Sequence, residues 1–126
     1  MCLLKRMSKA NLLRSTPPFE VESALQRLGA NLKTARLRRG LTVAEVAEKI
    51  GTGSRAVADA EKGRPGTAIA THLALLWAYD LLQQADDLAA PGSDEIGLAL
   101  SDRRERGRTK RRLDNDFLTP RHSDHE

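Results

Sequence analysis

Few side chains able to do chemistry in this 126-residue sequence stand close together. Asp59 and Glu61 lie two residues apart on a predicted helix and so point different ways, which argues against a paired acid–base site. Asp86 and Asp87 share one turn, the usual pattern of a solvated face. His72 stands alone among apolar residues, the setting of a structural histidine rather than a ligand. His122 and His125 have H-x-x-H spacing but sit in a polar tail without supporting ligands, so no metal site is expected there. No Ser-His-Asp set, metal cluster or Gly-rich phosphate loop occurs, and the sequence predicts neither an enzyme nor a cofactor. Charge chemistry remains. Residues 101–112 hold seven basic side chains (Arg103, Arg104, Arg106, Arg108, Lys110, Arg111 and Arg112) against Asp102 and Glu105. That local surplus exceeds the +4 of the whole chain, so the remainder is slightly acidic. Such a run can make salt-sensitive phosphate contacts, or it can be a solvated stretch with no regular structure.

The clearest elements that could position functional groups lie in residues 41–63, LTVAEVAEKIGTGSRAVADAEKG. Thr42 is a good N-cap, and Glu45 follows at the capping-box spacing. Val43, Val46, Ala47 and Ile50 recur at helical intervals, and Gly51 supplies the left-handed residue that ends the helix. Thr52 or Gly53 opens a second helix with Val57 and Ala60 inward, and Gly63 closes it. Two helices this short cannot bury enough surface alone. They must lean on neighbours, and the small Ala47, Ala56 and Ala60 let their axes cross closely.

Upstream, Pro17 and Pro18 mark a helix start. Residues 19–39 read as a long helix with Leu25, Leu28, Leu32 and Ala35 on its inner face, stopped by Gly40. Downstream, residues 63–66 (GRPG) form a loop. Thr67 is expected to cap a helix that turns Ile69, Leu73, Leu76 and Trp77 to the core. A further helix is expected over residues 81–89, with Leu81, Leu82, Ala85 and Leu88. Beyond the boundary at residues 90–93, Ile96, Leu98 and Leu100 fall between the helix and strand periods, leaving open a short helix or a strand paired across a dimer.

Two short helices about a tight turn make a helix-turn-helix, whose second helix is offered to the DNA major groove. From about residue 28 to residue 82 the chain resembles the lambda-repressor-like helix-turn-helix domain of the Xre/Cro family. The resemblance is carried by the Leu41-Thr42 start, Ala44-Glu45-Val46-Ala47, Gly51 at the turn, Val57 four residues before Glu61, and Lys62-Gly63. Two positions depart: Val43 stands where the family usually has a Gln that touches the DNA backbone, and Gly53 where Ser or Thr usually caps. The resemblance implies an all-α, five-helix bundle with flexible N- and C-terminal extensions. It maps the base-reading positions onto Ser54, Arg55 and Asp59. Arg can fork onto guanine O6 and N7, and Asp can accept from cytosine N4. Lys62 and Arg64, the Thr42 hydroxyl, and Arg38 or Arg39 suit phosphates. Arg36 and Glu61 occupy the family's positions for an ion pair between the first and recognition helices, where a bidentate bond would fix angle as well as distance.

The expected organisation is a flexible extension over residues 1–18, the helix-turn-helix domain over 19–90, and a basic, largely disordered tail over 91–126. The implied partner is a double-stranded, palindromic DNA operator, bound by a homodimeric repressor with its recognition helices about one helical turn apart. A second expectation comes from a looser resemblance. Residues 94–98, the Arg-rich run and residues 113–117 look like the tails of HipB-like antitoxins, which neutralise a HipA-type kinase toxin, and a segment that folds on binding fits the composition. The single Cys2 excludes a disulfide framework and fits a reducing cytosol. No apolar run approaches the ~20 residues of a membrane span, and residues 1–7 are too short for a signal-peptide core, so a cytoplasmic location is expected. Residues 15–100 contain nine basic and eleven acidic side chains. This module is no generic basic surface and must bind through positioned contacts.

Overall fold

The computed structural model describes residues 11–118. Its helices are α1 (Leu12–Ser15), α2 (Phe19–Arg38), α3 (Val43–Ile50), α4 (Ser54–Glu61), α5 (Ile69–Ala78) and α6 (Glu95–Leu118), with 3-10 helices at Leu82–Asp87 and Pro91–Ser93. No strand occurs among the described residues, so the all-α reading holds. Cys2, Leu3, Leu4, His122 and His125 lie outside the described residues. The chain divides into two compact units near residue 85.

In the first unit, α3 begins where the capping box requires. Thr42 Oγ1 accepts the Glu45 N–H at 3.1 Å, and Glu45 Oε1 accepts the Thr42 N–H at 3.3 Å. Gly51 ends α3 at φ 80°, a left-handed geometry that most side chains disfavour. Gly53 then stands at the N-cap of α4, with no side-chain bond. The core joins Leu32 and Ala35 of α2, Val46 and Ala47 of α3, Val57 and Ala60 of α4, and Leu75, Ala78 and Tyr79 at the end of α5. Leu28, Leu41, Val43, Ile50, Leu76 and Leu81 pack around it.

Glycine lets α4 dock on α2. A Cβ at Gly29 would stand 2.6 Å from the Ala60 carbonyl oxygen, inside any allowed contact. Gly63, at φ 73°, would bring a Cβ to 2.7 Å from the Gln26 Cα. Both ends of that approach are therefore closed to larger residues.

Three expectations change. The rotation of α5 differs: His72, Leu75 and Ala78 are buried, whereas Ile69 and Trp77 are 68% and 54% exposed. Residues 67–79 contain no Lys, Arg, Asp or Glu, so apolar periodicity could not say which side faces in. Thr67 does not cap α5. Ala68 occupies the N-cap without a side-chain bond, and Thr67 Oγ1 is buried without a hydrogen-bond partner among the described residues. The fifth helical element of the bundle is 3-10 over Leu82–Asp87, entered after Asp80 at φ 59° and followed by Ala89 at φ 54°. Those left-handed residues cut the segment short.

In the second unit, the described part of the expected disordered tail is helical. Asp94 Oδ1 accepts the Gly97 N–H at 2.9 Å at the start of α6. Leu, Glu, Arg and Lys, all good helix formers, then outweigh Gly97 and Gly107. No described helix is long and apolar enough to cross a membrane.

Candidate nucleic-acid interface

The spacing of α4 separates an inner side from an outer one. Val57 and Ala60 are buried, whereas Ser54, Arg55, Ala58, Asp59 and Lys62 fall at i, i+1, i+4, i+5 and i+8 along the other side. Ser54, Arg55 and Lys62 are exposed, and Ala58 and Asp59 half-buried. The sequence-derived base-reading set therefore shares one face, with the small Ala58 between its members.

Glu61 is the residue of α4 that faces back. Arg36 Nε donates to its Oε1 at 3.0 Å and its Oε2 at 3.2 Å, and Arg36 Nη2 lies 2.9 Å from Oε1. The two side chains are 10% and 6% exposed. Arg36 Nη1 also donates to the Leu41 carbonyl at 2.8 Å. One guanidinium thus joins α2, the α2–α3 turn and the last turn of α4, and its planar fork fixes direction as well as distance. Tyr79 lies within this field. Burial, and then the Glu61 carboxylate, push its hydroxyl above the ordinary 10.0, while Arg36 and Arg39 pull the other way.

The proposed phosphate ligands fare differently from one another. Arg38 and Lys62 are exposed. Thr42 Oγ1 accepts from Glu45 and keeps its own O–H to donate. Arg39 is tied into the fold: its Nη1 donates to the Ala35 carbonyl at 2.9 Å and its Nη2 to the Tyr79 carbonyl at 2.7 Å, and its guanidinium carbon sits 5.4 Å from the Tyr79 ring centroid. It closes the end of α5. Arg64 Nε lies 3.1 Å from Asp59 Oδ1. A pair this exposed contributes at most about 1 kcal/mol, so either partner can exchange it for a DNA group. Lys33 was not anticipated. It lines a shallow cleft of about 200 Å³ with Val43, Ala58 and Lys62. No motif marks Lys33 in the sequence, although it follows the buried Leu32 on α2.

The helix-turn-helix domain family model matches residues 27–89. The match covers half of the chain, and the chain belongs to the helix-turn-helix family. No curated protein and no solved structure matches the chain.

Proposed function

From membership in the helix-turn-helix family, we propose that the protein is a sequence-specific DNA-binding regulator of the Xre type, a repressor that binds a palindromic operator as a homodimer. The observation that carries this reading is the joint geometry of α4. Its inner end is tied to α2 through Arg36 and Glu61, while Ser54 and Arg55 stand exposed at its first turn. In the proposed complex Arg55 forks onto guanine, Asp59 accepts from cytosine and Ser54 completes the set, with Thr42, Arg38, Lys62 and Arg64 on phosphates. A homodimer is supported by the uncharged outer side of α5, where Ile69 and Trp77 are exposed, because an apolar face can meet its own copy without like-charge repulsion. Footprinting on the protein's own promoter tests the proposal. Two protected half-sites about 10 base pairs apart are expected, and a single half-site or no protection would overturn it.

A second reading is favoured by α6, which exposes Ile96, Leu98, Leu100 and Leu113 among its arginines. Such a helix suits capture of a protein partner, as in an antitoxin of the HipB kind that neutralises a HipA-type kinase toxin. A partner that co-purifies with the full chain and is lost on deleting residues 91–126 would support this role. Its retention after the deletion would refute it.

A further inference from the structure

Arg14 lies outside the matched family region, yet the fold brings it to the exit of α4. It lines one cleft of about 290 Å³ with Asp59, Arg64, Pro65, Gly66 and Thr67. Its position is set locally. Asn11 Oδ1 accepts the Leu13 N–H at 3.1 Å, and the Arg14 N–H donates to the Asn11 carbonyl at 3.1 Å. Gly66 makes room for the side chain, since a Cβ there would stand 2.8 Å from Arg14 Nη2.

The charges of the cleft point to an anionic ligand. Arg14 and Arg64 bring two positive charges against the single Asp59 carboxylate, and Asp59 holds Arg64 through Nε. Among the described residues nothing bonds the Arg14 guanidinium, although its planar fork suits bidentate oxyanions.

We propose that this cleft seats a phosphate group, held by Arg14 and Arg64, and that the phosphate belongs to the DNA backbone beside the reading face of α4. The assignment of the phosphate to DNA rests on the function proposed above. It makes Arg14 a binding residue and extends the DNA surface to α1.

The test uses the full chain and three variants: Arg14→Ala, Arg14→Lys and Gly66→Ala. Each is titrated with an operator duplex and a random duplex across a salt series, and each is melted with and without inorganic phosphate. Gly66→Ala displaces only the flexible end of Arg14, so it removes the contact while leaving the core intact. We expect Arg14→Ala to weaken binding to both duplexes alike, by about tenfold, and to lower the slope of log K against log salt by about 0.9. Gly66→Ala should follow it, Arg14→Lys should fall between, and all melting temperatures without phosphate should match the parent's. Loss on the operator alone would overturn the backbone assignment. Unchanged DNA binding, together with a phosphate-induced rise in melting temperature seen in the parent and absent in Arg14→Ala, would assign the cleft to a soluble phosphate compound instead. No effect in either measurement would overturn the site. A parent that binds neither duplex would refute the DNA reading separately, and the phosphate melts would then decide the cleft alone.

Discussion

Glu61→Ala is the sharpest perturbation of the interface. It removes the acceptor of three guanidinium contacts: Nε to Oε1 at 3.0 Å, Nε to Oε2 at 3.2 Å and Nη2 to Oε1 at 2.9 Å. Arg36 would keep the Leu41 carbonyl at 2.8 Å and little else, with its side chain 10% exposed. Breaking a buried pair from one side costs about 3–5 kcal/mol, because the surviving charge stays desolvated. The retained Leu41 bond and the long arginine stem favour the lower end, about 3 kcal/mol. In a domain of 60–100 residues that is a fall of about 12–24 °C in Tm. The double replacement Arg36→Met with Glu61→Leu removes both charges and should recover much of the loss. It still strips the Leu41 carbonyl of its donor, leaving a deficit of about 1 kcal/mol. Thermal and urea melts of the parent, Arg36→Met, Glu61→Leu and the double variant give the coupling energy. Operator specificity should recover less than stability, because packing alone does not pin the inclination of α4. If Glu61→Ala melts within error of the parent, the pair does not anchor α4 and the reasoning fails.

Five other perturbations probe separate links. Arg55→Ala should weaken operator binding by about 1–3 kcal/mol and relax preference at one base pair, whereas Lys62→Ala should weaken all sequences alike and lower the salt slope. Identical effects of the two changes on operator and random duplexes would show that Arg55 does not read bases. Tyr79→Phe tests the buried hydroxyl, which has no hydrogen-bond partner among the described residues, and it should cost less than about 1 kcal/mol. Because the folded state raises the Tyr79 pKa, that contribution is whole below about pH 10 and is lost as pH climbs through the raised value. Alkaline melts should therefore decline more steeply for the parent than for Tyr79→Phe, and parallel curves would contradict this. Deleting residues 101–126 should reduce non-specific DNA affinity or partner capture with Tm nearly unchanged, and a large loss of stability would place that segment in the core. Trp77→Ala should shift sedimentation from dimer toward monomer while the melt of the isolated fold changes little, and an unaltered dimer would move the interface elsewhere.

The legible parts of the sequence were those fixed by local chemistry. Thr42, Glu45 and Gly51 set α3 through bonds spanning a single turn, so the residue types at those spacings were sufficient. The rotation of α5 could not be read, because an uncharged run gives every face a claim on the core. Thr67 looked like a cap by type, but the chain enters α5 one residue later, through Ala68. Gly29 is another kind of omission. Its need for hydrogen in place of a side chain arises from the Ala60 and Glu61 backbone more than thirty positions away, and no periodicity reports such a contact. The ties of Arg39 were hidden for the same reason: its acceptor, the Tyr79 carbonyl, lies 40 residues on.

Those ties bear on how the interface can work. Of the arginines between residues 36 and 39, Arg36 and Arg39 are engaged in holding helices together, which leaves Arg38 as the cation of that stretch for a phosphate. With Arg14, Lys33, Arg55, Lys62 and Arg64, the module has few cations to set against its acidic residues. Each phosphate neutralised adds only about 0.9 to the salt slope, so a single copy of the module, without the basic run of α6, would bind non-specifically with low affinity. Two consequences follow. In the proposed homodimer affinity would come from combining copies, because a dimer doubles the phosphate contacts without adding charge to either module. In the proposed complex specificity would come from the placement of Arg55 and Asp59, since a wrong base then leaves a positioned polar group unpaired. In that proposed complex the internal arginines serve recognition indirectly. By tying α4 to α2 and to the α2–α3 turn, Arg36 would let a sparsely charged surface discriminate where a more basic one would only adhere.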